Sequence, residues 1–165
     1  VVSLGGKVLT LHVKARDEDP WWPSQTPDWG SSFSYADARN NMGIDVEADE
    51  NIVQRMLDDA YAHDIHMINY YWLSTEDRLA SEHPEWVVRD SQGNVIRHPR
   101  RGVYLDLASG YRDVIRDRLI ELAAMGAEGF YFDDSHLPEE GAWGGAFQAR
   151  FEQTTGLATP VDATS

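Results

Sequence analysis

No stretch of the chain limits its fold more than Glu128-Gly129-Phe130-Tyr131-Phe132-Asp133-Asp134-Ser135-His136. An apolar, aromatic run ending in two carboxylates and a histidine reads as a buried parallel strand whose C-terminal tip opens into a site, because parallel sheets place ligands at their carboxyl ends. The tip is therefore where chemistry is sought. A strand that merely ends in a solvated acidic turn would look the same in isolation, so the weight falls on what the rest of the chain sets beside it.

Two other runs have strand character. Lys7 to Lys14 is rich in β-branched and aliphatic residues and follows Gly5-Gly6, with burial expected from Val8 and Leu9 and with His12 near the exit end. Leu4-Gly5-Gly6 reads as the stop of a preceding helix, so the chain is expected to begin within a larger architecture. Ile65 to Trp72 is the second run, and its aromatic residues gather at its exit.

Between them, residues 15–47 read as a long loop with Trp21, Trp22 and Trp29 set among Pro20, Pro23, Pro27 and Gly30. Three tryptophans argue against disorder, which leaves an ordered lid or pocket wall, or a satellite cluster that pins the loop. Asp49 is placed to cap a helix over Glu50 to His63, whose stripe is Ile52, Val53, Met56, Leu57 and Ala60.

After the second strand, Ser74 to Pro84 reads as a short helical turn. Trp86–Arg89 and Asn94–Ile96 flank Asp90-Ser91-Gln92-Gly93 as a hairpin excursion. Arg97, Arg100 and Arg101 form a basic patch that is more simply a solvated surface than an anion clamp. Ser109 is placed to cap a helix over Gly110 to Met125. Its buried stripe is Val114, Ile115, Leu119, Leu122 and Ala123, its wet face carries the arginines and Asp117, and Gly126 stops it. A last helix spans Ala146 to Thr154 with Phe147 and Phe151 one turn apart, and residues 155–165 are expected to fray.

Strands alternating with helices of this length mean crossover units and a parallel sheet, with every loop that leaves a strand on one face. The fold class is therefore α/β, a single domain over residues 1–165. The exit face gathers His12, Arg16, Asp17, Trp72, Asp133, Asp134 and His136.

Charge narrows the partners. Fourteen basic against 28 acidic residues leave a net charge of −14, which repels nucleic-acid backbones and anionic lipid, so neither is an expected partner. The absence of cysteine excludes disulfides, thiolate metal sites and thiol nucleophiles. No run approaches the roughly 18 apolar residues of a membrane helix, and the opening residues read unlike a secretory signal, which leaves the compartment open.

Two segments together resemble one family. Gly5 to Lys14, followed by Asp17 and then Trp22-Pro23-Ser24-Gln25-Thr26-Pro27-Asp28-Trp29, resembles the second-strand region of the α-L-fucosidases and the fucosidase-like glycoside hydrolases around them. Phe132-Asp133 is similar to the family's Trp-Phe-Asp strand end. His83-Pro84-Glu85-Trp86, Tyr104-Leu105-Asp106-Leu107 and Phe130 to Asp134 resemble a less characterised group of glycosidases with the same barrel. The resemblance implies a partial (β/α)8, TIM-barrel-like fold, about half a barrel and corresponding to roughly its second to fourth units. It also implies that Asp133 stands where the family has its nucleophile and Trp22 where it has a pocket aromatic. Where fucosidases carry paired histidines this chain has Ala15-Arg16, so fucose itself is not implied.

The reading that follows is a glycoside hydrolase-like protein with Asp133 as the catalytic carboxylate. His12, Lys14, Arg16, Asp17, Trp22, Tyr71, Trp72, Asp134 and His136 are the candidate substrate-binding residues. Trp22 and Trp72 are the rings expected to face a ligand, although aromatic residues in strands are commonly core. Asp133 and Asp134, as neighbours, point to opposite faces, so Asp134 is given a supporting role. Asp17, Asp19, Glu76 and Glu139 could donate a proton, and each reads more simply as a solvated loop charge.

No metal or other cofactor is expected. A metal-dependent hydrolase using His12, Asp133 and His136 ranks below the sugar reading. The alternative from another class is a non-catalytic carbohydrate-binding or assembly module derived from such a barrel. In either case a carbohydrate is the expected ligand, and self-association is expected to cover the unpaired sheet edges.

Overall fold

Side-chain alternation decides how the first strand sits. In the computed structural model, which describes residues 5–14, 22, 24, 51–99, 102–135, 138, 141 and 143–159, strand β1 (Val8–Lys14) buries Leu11 and Val13 and exposes Val8, Thr10 and His12. One face is therefore core and the other open, as period-two geometry requires. Val8, expected at the start of the buried stretch, lies on the open face and is 60% exposed.

Helix α1 (Ile52–Ala62) follows. Its N-cap is Asn51, whose side chain accepts the Gln54 amide at 3.1 Å, an interaction worth about 1 kcal/mol. Asp49, expected to cap it, lies outside the described residues. Ile52, Val53, Leu57 and Ala60 turn inward onto Leu11, Val13, Ile65 and Met67, so the core forms between the sheet and the helix layer. Each fully buried aliphatic chain there contributes roughly 1.5–3 kcal/mol.

Strand β2 (His66–Trp72) is the centre of a three-stranded parallel sheet, flanked by β1 and by the strand at Gly129–Asp133 (β5). It pairs His12 with Tyr70 on one side and Tyr70 with Tyr131 of β5 (Gly129–Asp133) on the other. Between β2 and β5 the chain makes an excursion. It contains α2 (Asp77–Glu82), a 3₁₀ turn at Pro84–Trp86, and a short antiparallel pair, β3 (Arg97–His98) with β4 (Gly102–Val103). Arg89 bridges Val95 across the expected turn, whose Asp90 side chain accepts the Gln92 and Asn94 amides at 2.9 and 2.8 Å. The regular ladder, however, forms beyond that turn rather than beside it. A second core of Leu79, Val87, Val103, Leu105, Tyr111, Val114 and Ile115 holds the excursion against α3 (Tyr111–Ala124).

Helix α3 departs from its expected faces. Arg118, assigned to the wet side with the other arginines, is completely buried, while Ala123, assigned to the stripe, is exposed. Arg118 is inside because carboxylate and phenol partners meet it there. Gly126, at φ +99°, ends the segment as expected.

Strand β5 was expected to be buried, yet Tyr131 is 54% exposed and Phe132 41% exposed, because among the described residues β5 pairs on one side only, with β2. Helix α4 (Gly145–Thr155) packs Phe147 onto the excursion, against Val88, Ile96 and Tyr104. Beyond it, the Thr159 amide and hydroxyl both lie 3.2 Å from Glu152 Oε1, while residues 160–165 of the tail expected to fray lie outside the described residues.

Candidate functional site

The parallel register brings three rings into one row on the open face. His12 stacks on Tyr70 at 4.1 Å between centroids and 11° between planes, and Tyr70 stacks on Tyr131 at 5.5 Å and 26°. These are cross-strand neighbours in register, so the row follows directly from the pairing. Asp133 lies two residues beyond Tyr131 and so shares its face.

Asp133 is half-buried at the tip of β5, and both of its carboxylate oxygens are held. The Tyr70 hydroxyl donates to Oδ2, and the Asp134 amide donates to Oδ1 at 2.9 Å. The carboxylate is thus fixed at the carboxyl end of the sheet, beside the row of rings. Asp134 adopts φ 54°, which turns the chain sharply, and is 6% exposed.

The other sequence-derived candidates divide. Arg16, Asp17 and His136 lie outside the described residues. His12 joins Asp133 on the open face. Trp22 and Trp72, expected to face a ligand, are 3% and 4% exposed. The Trp22 indole N–H donates to Glu121 Oε2 at 2.7 Å in the helix layer, and that of Trp72 donates to Thr75 Oγ1 at 2.9 Å. Both rings are structural here, because each indole finds an internal hydrogen-bond partner and surrounding apolar atoms.

Lys14 and Tyr71 are also fully buried, in an ionic cluster on the helix side of the strand exits. Glu76 is its centre. Arg118 grips it with Nη1 on Oε2 at 3.1 Å and Nη2 on Oε1 at 3.2 Å, while Lys14 Nζ stands 3.6 Å from Oε2. Glu76, read from sequence as a solvated loop charge, is 1% exposed and paired with two cations.

Lys14 Nζ donates to the Trp72 carbonyl at 3.1 Å, Arg118 Nη1 donates to the Tyr71 hydroxyl at 2.9 Å, and the Tyr111 hydroxyl donates to the Leu73 carbonyl at 2.7 Å. Burial, reinforced by Glu76, pushes the Tyr71 phenol up to about 12, and burial raises that of Tyr111 well above its ordinary value. Both phenols therefore remain protonated through ordinary pH, Tyr71 accepting from Arg118 and Tyr111 donating to the Leu73 carbonyl. The cluster fixes the segment that follows β2 and so sets the position of the exit loops.

Sequence reasoning did not place Tyr70 and Tyr131 beside Asp133. Half of the signal was available, since Tyr131 and Asp133 share parity on one strand, whereas the pairing of Tyr70 with Tyr131 is set by the sheet register.

No family model matches the chain, and no curated protein matches it either. Solved structures do. A hypothetical protein from Ruminiclostridium thermocellum aligns over 86% of this chain and 70% of its own, at 19% identity and TM-score 0.61. α-L-Fucosidase isoenzyme 2 from Paenibacillus thiaminolyticus aligns over 92% of this chain at 17% identity and TM-score 0.59. Only 21% of the fucosidase chain is covered. The GH20 exo-β-N-acetylglucosaminidase from Vibrio harveyi, in complex with N-acetylglucosamine, aligns over 94% of this chain and 26% of its own, at 13% identity and TM-score 0.54. The chain spans about a fifth to a quarter of each glycosidase, and what it shares with them is the parallel α/β fold of a portion of a glycoside hydrolase barrel.

Proposed function

We propose that the protein acts on a glycosidic bond through Asp133. The observation that carries this reading is the position of that carboxylate, held by Tyr70 and the Asp134 amide at the exit of a parallel sheet, at the end of an open row of rings. Tyr70 is sandwiched between His12 and Tyr131, so it is the outer face of Tyr131, 54% exposed, that offers a surface to the apolar face of a sugar. A fixed carboxylate at a strand tip can attack an anomeric carbon as the glycosidic C–O bond breaks and a second acid protonates the departing oxygen, or it can stabilise the oxocarbenium-like transition state of that departure. The shared fold with fucosidase and N-acetylglucosaminidase chains supports the substrate class.

The proposed test is turnover of a panel of aryl glycosides by the chain and by its Asp133→Asn variant. That substitution should lower kcat/KM at least about a hundredfold, the scale of a lost catalytic carboxylate, with the fold retained by circular dichroism. Undiminished turnover in Asp133→Asn would remove the proposal.

A carbohydrate-binding or assembly module is the second reading, favoured by the burial of Glu76, one of the candidate proton donors, between two cations. It predicts sugar binding without turnover. Either way the exposed rings and the edge strands β1 and β5 favour self-association, a second copy covering them. A monomer by sedimentation at micromolar concentration would count against that part.

A further inference from the structure

A cavity of 380 Å³ opens beside the strand exits. Ser74, which follows β2, and Ser135, two residues beyond Asp133, form one side of it, so it adjoins the proposed site without containing Asp133. Tyr104 and Phe147 supply apolar wall. Asp106, 5% exposed, also lines it and accepts the amides of Ala108, at 2.8 Å, and Phe147.

Two arginines line this cavity. Arg150 stands on α4 one turn from Phe147, and among the described residues it pairs with no carboxylate. Arg112 stands in the first turn of α3, where the helix dipole already favours an anion. Its ion-pair partner among the described residues is its exposed neighbour Asp113, at 3.6 Å, a surface contact of little strength. On a chain with net charge −14, two lightly engaged arginines converging on one recess are a local reversal of sign. A guanidinium fork matches a planar carboxylate in two hydrogen bonds. The carboxyl of Asp106 favours hydroxyls and would repel a phosphate dianion more strongly than a monoanion.

We propose that this cavity binds the carboxylate-bearing ring of an acidic sugar, with Arg112 and Arg150 on the carboxylate and Asp106, Ser74 and Ser135 on the hydroxyls. That the ligand is a sugar rests on the reading of the Asp133 site; that it carries a carboxylate rests on the cavity alone.

The test is calorimetric titration of the chain with methyl β-D-glucuronide and with its uncharged counterpart methyl β-D-glucoside. The glucuronide should bind about tenfold more tightly, the scale of one charge-assisted contact, and the preference should shrink as salt rises. The double variant Arg112→Ala/Arg150→Ala should abolish the preference, and Arg112→Lys/Arg150→Lys should restore part of it. Both positions are exposed, so circular dichroism should be unchanged.

Equal affinity for the two glycosides, no binding of the glucuronide, or a preference that survives the double alanine variant overturns the proposal. A sulfated sugar that outcompetes the glucuronide does so as well. Asp133→Asn separates the two ideas, since it should leave the glucuronide preference intact. Turnover lost in that variant without any preference for the acid sugar leaves the catalytic reading standing and this one refuted. Preference without turnover is the converse.

Discussion

Glutamine at position 76 removes one charge with almost no change in volume, and the structure makes the cost unusually readable. Glu76 is 1% exposed and is the carboxylate that Arg118 grips through two hydrogen bonds, with Lys14 at 3.6 Å. Without its charge, two fully buried cations face a neutral amide whose NH₂ group must turn toward one of them. Breaking a buried ion pair by neutralising one partner costs about 3–5 kcal/mol, because the remaining charge stays desolvated. For a chain of this size about 2–4 °C accompanies each kcal/mol, so Glu76→Gln should lower Tm by roughly 6–20 °C. Urea titration followed by far-ultraviolet circular dichroism would give the same loss as a lower midpoint at unchanged slope.

Arg116→Ala is the control. Its ion pairs with Asp113 and Asp117 are exposed, and it should change stability by less than about 0.5 kcal/mol. The double variant Lys14→Met/Glu76→Gln should recover part of the loss by removing one stranded cation. A Glu76→Gln loss under about 1 kcal/mol, or no recovery in the double variant, would refute the account of the cluster as a mutually dependent set.

Further outcomes follow from other contacts. Folded Tyr71 keeps its proton up to about 12 and folded Tyr111 keeps its proton well above the ordinary range, whereas in the unfolded chain both ionise near their ordinary value of about 10. The unfolded state therefore binds fewer protons above that point. Their stabilising contribution is full below pH ~10 and is lost as pH rises toward ~12, at up to about 1.4 kcal/mol per unit for each tyrosine. Tm measured from pH 8 to 12 should fall in that window, and a flat profile there would count against it. Gly110→Ala would place a Cβ 2.7 Å from Trp86 Cζ2, so a loss of about 1–3 kcal/mol and altered indole fluorescence are expected; a stable variant would mean that Trp86 moves freely.

The elements were legible because their patterns are local. Helical spacing located α1 and α3, and the β-branched and aromatic runs located β1, β2 and β5, each within about two residues at either end, the ordinary tolerance of such boundaries. Burial was less legible, because it depends on what lies across the sheet. An aromatic run such as Phe130 to Phe132 looks the same whether it is a central strand or an edge, and only the pairing order tells which. Charged residues failed for a related reason. Arg118 and Glu76 lie 42 residues apart, and Lys14 a further 62 before Glu76, so composition and spacing mark Arg118 and Glu76 as surface charges and Lys14 as a pocket residue until the fold brings all three together. Trp22 and Trp72 were placed at a ligand because one lies in the long loop and the other at a strand exit, yet each indole N–H has an internal partner that no sequence pattern announces.

The two faces of the sheet thus carry separate tasks at the same strand ends. On the helix side, Lys14 holds the Trp72 carbonyl, Tyr111 holds the Leu73 carbonyl, and Glu76 ties Lys14 to Arg118. The segment leaving β2 is therefore pinned from behind by groups that have no access to solvent. On the open side, the same strand presents Tyr70, which donates to Asp133 and stacks on both His12 and Tyr131. Because β2 is the central strand, any shift of its exit would displace the Tyr70 hydroxyl from the Asp133 carboxylate. The buried charges are costly to desolvate and give little net stability. What they supply is a fixed register between the strand that donates the hydrogen bond and the strand that carries the carboxylate, the precision a preorganised site needs.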